Sequence, residues 1–196
     1  MTLRKGRTVT RSDDELYRQY LSGDQASGDE LMLRYADPLV AYLNAFLHDP
    51  QDAEDLMLDC FAVILVKKPR IREGNVRAYI FKMARYKAFR LYRRKTRRGE
   101  FSIEDLPEGG MPADSAGGSA GAVEKSERDA TLVKCMDRIA PQYREALWLF
   151  YSMDMSYAQA AEVLNCGTKK IDNLLANGRK QLRKELEKEG ITREDI

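Results

Sequence analysis

Apolar residues recur every three or four positions along most of this chain, a spacing that favours helices. The clearest stretch comprises Ala53, Leu56, Met57, Cys60, Phe61, Ile64 and Leu65. Asp52 is the candidate N-cap of this helix, and Pro69 ends the pattern. The segments from near Gly28 to Leu47 and from near Asn75 to Leu91 have similar spacing, whereas no segment alternates as a half-buried strand does. The pattern predicts an all-α protein.

A glycine-rich segment interrupts this pattern near the middle of the chain. Residues 99–126 hold six glycines and two prolines among few large apolar residues. Such a composition cannot bury enough surface to order itself. We therefore predict a flexible linker between a first domain at residues 1–98 and a second at residues 127–196. A coil of this length spans roughly 30 Å on average and about 90 Å when extended.

The second domain is predicted to contain four helices and to end in a helix-turn-helix. Pro141 suits the first turn of its second helix. Ser156 and Gln159 have the spacing of a capping box at the start of the third. The break at residues 165–168 contains a glycine, as is typical of the turn between two such helices. The inward face of the last helix is expected to carry Ile171, Leu174, Leu175, Gly178 and Leu182.

The formal net charge of +2 conceals two blocks of opposite sign. Between Asp13 and Asp59 there are twelve acidic residues and two basic ones. Between Lys67 and Arg98 there are fourteen basic residues and one acidic residue. This segregation predicts two differently charged partners, one of which is a polyanion.

Several classes of protein are disfavoured by what the chain lacks. Its three cysteines, Cys60, Cys135 and Cys166, form no CxxC pair, and His48 is its only histidine. A disulfide framework, a zinc site and histidine-assisted hydrolase chemistry are therefore disfavoured, and we expect neither catalysis nor a metal or cofactor. No run approaches the roughly 20 apolar residues of a membrane span, and the basic N-terminus lacks the apolar stretch of a secretory signal. Membrane insertion and export are not expected.

Basic and aromatic residues are interleaved from Lys82 to Arg98, a segment with nine basic residues and no acidic one. Tyr86, Phe89 and Tyr92 lie among them. Lysine and arginine neutralise phosphates, and aromatic faces stack on unpaired bases. The segment therefore favours binding of a nucleic-acid strand. The alternatives are a solvated basic helix whose aromatic residues belong to the core, and a membrane-surface helix.

Two other polar rows have alternative interpretations. Asp52, Asp55 and Asp59 follow helical spacing, which fits either a solvated acidic face or a docking surface for a basic partner. No second set of ligands favours a metal there. The outward residues of the last helix are Lys169, Lys170, Asp172, Asn173, Asn177 and Lys180. Asparagine can pair with adenine, aspartate can accept from cytosine, and lysine can bind phosphate, although a purely structural helical hairpin would look similar.

These motifs occur in an order that resembles a known family. The order is 52-DAEDL-56 with Phe61, then 78-AYIFKMAR-85, an arginine-rich end, a variable linker, 139-IAPQYREAL-147 and 155-MSYAQAAEVL-164. It resembles the extracytoplasmic-function (ECF) group of sigma-70 factors of bacterial RNA polymerase. The resemblance covers roughly residues 24–188. It implies a cytoplasmic, non-enzymatic factor that binds the clamp coiled coil and flap of core polymerase, promoter DNA and, in some cases, an anti-sigma factor.

The resemblance also implies roles for individual residues. The core-polymerase contacts would be Asp52, Asp55, Asp59 and Phe61. The contacts to the melted −10 element would be Arg70, Asn75, Lys82, Arg85, Tyr86, Lys87, Arg90, Arg93 and Arg94. The contacts to the −35 duplex would be Ser156, Thr168, Lys169, Lys170, Asp172, Asn173, Asn177 and Lys180.

Some positions depart from the family's pattern. Leu58 stands where a glutamine is usual, Tyr86 where an asparagine is common, and Arg90 where an aspartate is frequent. Asp172 and Asn173 replace part of a basic run in the last helix. The expected function is promoter-specific initiation. A stand-alone helix-turn-helix regulator and a polymerase or anti-sigma interaction protein without initiation activity are the two alternatives.

Overall fold

The computed structural model describes residues 11–97 and 127–191, and the predicted linker lies outside them. Four helices form the first part of the chain: α1 (Asp13–Leu21), α2 (Gln25–Leu47), α3 (Pro50–Lys67) and α4 (Val76–Arg97). The second part contains α5 (Glu127–Asp137), α6 (Pro141–Leu147), α7 (Tyr157–Leu164) and α8 (Thr168–Lys188). One π-helical turn, Trp148–Ser152, extends α6. The described ranges contain no strand, which confirms the all-α prediction for them.

The helix ends follow local sequence signals, with one correction. Ser156 and Gln159 form the predicted capping box of α7, and Pro141 occupies the first turn of α6. The prediction that Asp52 caps α3 is wrong. Asp49 is the N-cap, and its side chain accepts hydrogen bonds from the backbone N–H groups of Gln51 and Asp52. Pro50 explains the earlier start, because proline suits the first helical position, where its missing N–H costs nothing.

Helix α1 was not predicted from the apolar pattern. Its N-cap, Ser12, forms a capping box with Glu15, and its buried face carries Leu16, Tyr17 and Tyr20. The last two donate hydrogen bonds from their hydroxyl groups to the carbonyl oxygens of Pro69 and Leu65, at 2.6 Å in each case. Helix α1 is therefore fixed to the end of α3 and the loop that follows it.

The two parts of the chain share one hydrophobic core. Buried residues of α2, α3 and α4 belong to the same cluster as buried residues of α6, α7 and α8. Helix α7 packs along α4, and this contact is more extensive than that between α3 and α4. The predicted helical content of both domains is confirmed, but their packing against each other was not predicted.

Gly28 of α2 is a site where close packing requires the absence of a side chain. A Cβ atom there would lie 2.5 Å from Cδ2 of the Tyr20 ring. That ring is buried, and its hydroxyl group is held by the carbonyl of Leu65, so the ring cannot simply move aside. We expect Gly28→Ala to lower the free energy of unfolding by about 1–2 kcal/mol, because overpacking outweighs the gain in helix propensity. Urea unfolding measures this, and an unchanged or higher midpoint would contradict it.

Candidate nucleic-acid and partner-binding surfaces

The acidic face of α3 is only partly free for a partner. Asp55 is exposed, and the Asp59 side chain is 65% exposed although it lies 3.2 Å from Nζ of Lys87. Asp52 is half-buried and forms an ion pair with Lys95 of α4. Phe61, also predicted as a polymerase contact, is 1% exposed and lies in the core. Of the four predicted docking residues, Asp55 and Asp59 therefore form the accessible pair.

Ion pairs between α3 and α4 join the acidic and basic blocks of the sequence. Lys95 Nζ lies 3.3 Å from Asp49 Oδ2 and also contacts Asp52. The Asp49 carboxylate has a lowered pKa because it accepts the backbone N–H of Asp52, with Lys95 adding to the effect. The hydrogen bond to Asp52 in turn raises the pKa of Lys95. Part of the charge segregation thus serves packing within the first domain.

The outer face of α4 remains strongly basic. Arg90, Arg93 and Arg94 are exposed, as is Lys82. Arg70, in the loop before α4, is also exposed, whereas Asn75 and Lys87 are half-buried. The exposed lysine and arginine side chains give a set of cations that can approach a phosphate backbone.

Only one of the three interleaved aromatic residues is free to stack on a base. Tyr86 is 69% exposed. Tyr92 is 3% exposed, and Phe89 packs against the core with its ring centroid 5.5 Å from that of Phe46. In this arrangement neither Tyr92 nor Phe89 is available to stack on a base. Both follow the core alternative because they lie on the inward face of α4.

Arg85, predicted as a −10 contact, lies beneath the second domain. Its Nε donates to Oε1 of Glu145 in α6 at 2.9 Å, and its guanidinium lies over the ring of Phe89 at 4.7 Å. Tyr42 of α2 donates its hydroxyl hydrogen to the same carboxylate oxygen at 2.6 Å. Glu145 itself is completely buried. Three helices from the two domains therefore meet at one carboxylate.

Further contacts join the two domains along α2 and α4. The indole of Trp148 stacks on the Tyr42 ring with centroids 5.2 Å apart, and its edge contact with Phe81 is 5.6 Å. At one end of α4, Gln159 donates to the carbonyl oxygen of Gly74 at 2.6 Å. On the exposed side, Lys82 Nζ lies 3.4 Å from Glu162 Oε1. Arg77 also donates to the backbone carbonyls that precede α7.

The helix-turn-helix presents its predicted duplex-reading residues to solvent. The exposed side chains near the start of α8 are Thr168, Lys169, Lys170, Asp172, Asn173, Asn177 and Lys180. Ser156, the N-cap of α7, is exposed as well. Gly178 faces α6, where a Cβ atom would lie 3.1 Å from Leu147, so this glycine permits the close approach of the two helices. These exposed side chains include amide, carboxylate and ammonium groups, which can contact base edges and phosphates in a major groove.

Two other kinds of site are not found in the described segments. Within residues 11–97 and 127–191, no three histidine, cysteine, aspartate or glutamate side chains are grouped as metal ligands would be. In the same residues, no helix is both long and apolar enough to cross a bilayer.

Comparison with known proteins identifies the family of this chain. Residues 31–98 match the family described as "Sigma-70 region 2", and residues 130–182 match "Sigma-70, region 4". The chain belongs to the ECF group of the sigma-70 family. It is 28% identical over 155 residues to the ECF RNA polymerase sigma factor SigM of Bacillus subtilis (strain 168), covering 79% of this chain and 92% of that protein.

Other relatives and solved structures are consistent with this family. The sigma factor is 26% identical over 172 residues to ECF sigma factor SigE of Mycolicibacterium smegmatis, covering 85% of this chain and 65% of SigE. Its fold resembles CnrH in complex with the cytosolic domain of CnrY, with a TM-score of 0.59, 21% identity, and coverage of 89% and 97% of the two chains. It also resembles the sigma factor RpoE of Bartonella quintana in complex with the anti-sigma factor NepR, with a TM-score of 0.61 and 21% identity. This match covers 81% of this chain and 96% of the RpoE chain. At this identity, the likeness shows the fold alone.

Two residues at the contact between the domains of this sigma factor, Glu145 and Tyr42, were not singled out from the sequence. Glu145 and Tyr42 are 103 positions apart, so no local pattern links them. The only available signal was Glu145 itself, a charged residue among the apolar positions of α6. Trp148 also packs between the two domains.

Proposed function

We propose that this sigma factor binds core RNA polymerase and directs promoter-specific initiation of transcription in the cytoplasm. In the proposed mechanism, α3 docks on the clamp coiled coil, α4 and its preceding loop bind the melted −10 strand, and α8 reads the −35 duplex. The observation that carries the proposal is the occurrence, in one chain, of an exposed basic face with Tyr86 on α4 and an exposed helix-turn-helix reader. A duplex reader alone needs no strand-binding platform.

The proposed division of the chain follows these roles. Residues 1–98 would bind polymerase and the −10 element, residues 99–126 would connect the domains, and residues 127–196 would bind the −35 element and the polymerase flap. Binding energy rather than covalent chemistry would drive promoter opening, because captured bases and neutralised phosphates stabilise the melted strand. An anti-sigma factor is a further proposed partner, since one structure with this fold is a sigma factor, RpoE of Bartonella quintana, bound to the anti-sigma factor NepR.

In vitro transcription with purified core polymerase tests the proposed function. We expect the chain to convert core polymerase into an enzyme that initiates at particular promoters in genomic DNA. DNA binding without stimulated initiation would favour the stand-alone regulator. Polymerase binding without initiation would favour the interaction protein.

The two DNA-binding helices are expected to respond differently to mutation. Neutralising Arg90 and Arg93 by Arg→Gln should lower the log–log salt slope of promoter binding by about 0.7–0.9 per lost phosphate contact, with −35 preference unchanged. Asn173→Ala should leave the slope nearly unchanged and reduce discrimination at one or two −35 base pairs by about 1–3 kcal/mol. Binding measured across a salt series, on promoters with single −35 changes, separates the two effects. A change in only the salt slope for Asn173→Ala would contradict the assignment of α8.

A further inference from the structure

The loop between α3 and α4, residues 69–75, has little hydrogen bonding of its own. Among these described residues, the one backbone hydrogen bond runs from the N–H of Asn75 to the carbonyl oxygen of Arg72. A segment with so few internal bonds opens easily unless neighbouring elements hold it. The conformation of the 69–75 loop therefore depends on the side chains that contact its backbone.

Tyr17 of α1 holds the first end of the 69–75 loop. Its ring is buried, and its hydroxyl group donates to the carbonyl oxygen of Pro69 at 2.6 Å. Tyr20, one turn further along α1, donates in the same way to Leu65 at 2.6 Å. The Leu65 carbonyl, however, belongs to α3 and not to the loop. The two tyrosines therefore make equivalent bonds to different parts of the molecule.

Asp14 of α1 holds the other end of the 69–75 loop. Its Oδ1 accepts the backbone N–H of Gly74 at 2.9 Å, and Gly74 has a φ of +80°, which glycine adopts without strain. The neighbouring Asp13 forms an ion pair with Arg77, in the first turn of α4, at 3.2 Å. Helix α1 therefore fixes both ends of the loop and the start of α4. None of these contacts involves the second domain.

The 69–75 loop presents cations from this fixed backbone. Ile71 packs against the hydrophobic core, whereas Arg70 and Arg72 on either side of it are exposed. A loop that is held in its bound conformation before binding does not have to be ordered at that moment, so its contacts contribute more to affinity. Discrimination among bases depends on such placement, whereas phosphate contacts carry no sequence information directly.

We propose that α1 is a positioning element for strand recognition, in which Tyr17 and Asp14 hold the 69–75 loop in the conformation that reads bases of the melted −10 strand. This inference deepens the proposed function and rests on it. Neither side chain is expected to touch DNA, because Tyr17 is buried and the Asp14 carboxylate is bonded to the loop backbone. Their loss should therefore lower discrimination among bases and leave the phosphate contacts of α4 unchanged.

Two measurements on the full chain test the role of α1. Hydrogen exchange reports the protection of the loop amides. Selection of short single-stranded DNAs from a random pool, by the complex with core polymerase, reports base discrimination. Tyr17→Phe and Asp14→Ala should each raise loop exchange and lower the preference for the strands that the wild type selects by about fivefold, which corresponds to one hydrogen bond. The salt slope of strand binding should not change, because the phosphate contacts remain.

Tyr20→Phe is the matched control, because it removes an equally short bond from the same helix. It should lower the free energy of unfolding about as much as Tyr17→Phe does, but leave loop exchange and base discrimination unchanged. Asp14→Asn keeps an oxygen that can accept the Gly74 N–H, so it should behave nearly as the wild type. Equal losses of discrimination in Tyr17→Phe and Tyr20→Phe would overturn the proposal, as would Asp14→Asn behaving as Asp14→Ala.

Failure of the proposed function gives a different result. If loop exchange rises in Tyr17→Phe and Asp14→Ala, but the complex with core polymerase selects no sequence even with the wild-type chain, then the anchoring of the loop by α1 stands and the proposed function fails. If the wild type and both variants select the same strands with equal preference, then strand recognition stands and the positioning role of α1 is overturned.

Discussion

Replacing Asp55 and Asp59 with lysine is expected to abolish association with core polymerase. Both side chains are accessible on α3, and they are the acidic residues that the proposed docking on a basic coiled coil requires. Placing like charges against such a surface costs several kcal/mol, so affinity should fall by at least about 100-fold. Native gel shift or co-purification with core enzyme measures this loss. Asp59→Lys also loses the ion pair with Lys87, but the Asp59 side chain is largely exposed, so this pair contributes little to stability.

The matched control is the double reversal to lysine of Asp29 and Asp37, two exposed residues of α2. It changes the net charge of the chain by the same amount on a surface to which no polymerase contact is assigned. Association should be preserved in this variant. Equal losses in the two double variants would mean that total charge, and not the α3 face, governs docking. Undiminished co-purification of the Asp55 and Asp59 variant would remove α3 from the proposed interface.

Helices were predicted well because their signals are local. The three- and four-residue spacing of apolar positions within α3 depends on neighbours in one element, and so does the capping box of α7. The N-cap of α3 was misplaced by three residues because Asp49 and Asp52 both have the required chemistry. Only the proline between them distinguishes the two, since it suits a first helical position after Asp49.

The accessibility of individual site residues could not be predicted in the same way. The basic-aromatic pattern placed Tyr86, Phe89 and Tyr92 together, but periodicity alone does not show how much of α4 the rest of the protein covers. Tyr92 is buried, and only Tyr86 is freely exposed. Arg85 is half-buried because Glu145, sixty positions away, lies over it. Contacts between distant segments depend on tertiary packing, and the spacing of residues within one helix does not reveal them.

Replacing Arg144 is expected to produce the largest loss of stability in the second domain. Its buried guanidinium donates to the carbonyl oxygens of Met136 at 2.9 Å and Asp137 at 2.7 Å, and it pairs with the Asp137 carboxylate. Burial lowers the pKa of Arg144, and Asp137 opposes this effect. The last carbonyl groups of a helix have no partner within it. Arg144 therefore satisfies the end of α5 and fixes that helix to α6.

Arg144→Met should lower the free energy of unfolding by about 3 kcal/mol, because several buried acceptors lose a charged donor at once. Arg144→Lys should recover only a small part of this loss, since a single ammonium cannot reproduce the forked geometry of the guanidinium. Arg138→Met is the matched control. Arg138 lies one residue beyond α5, but its side chain is exposed where it pairs with Glu185 and Glu189, so only a small change is expected. Urea unfolding followed by circular dichroism compares the three variants. Equal midpoints for Arg144→Met and Arg138→Met would show that the carbonyl groups at the end of α5 do not need the Arg144 guanidinium as a donor.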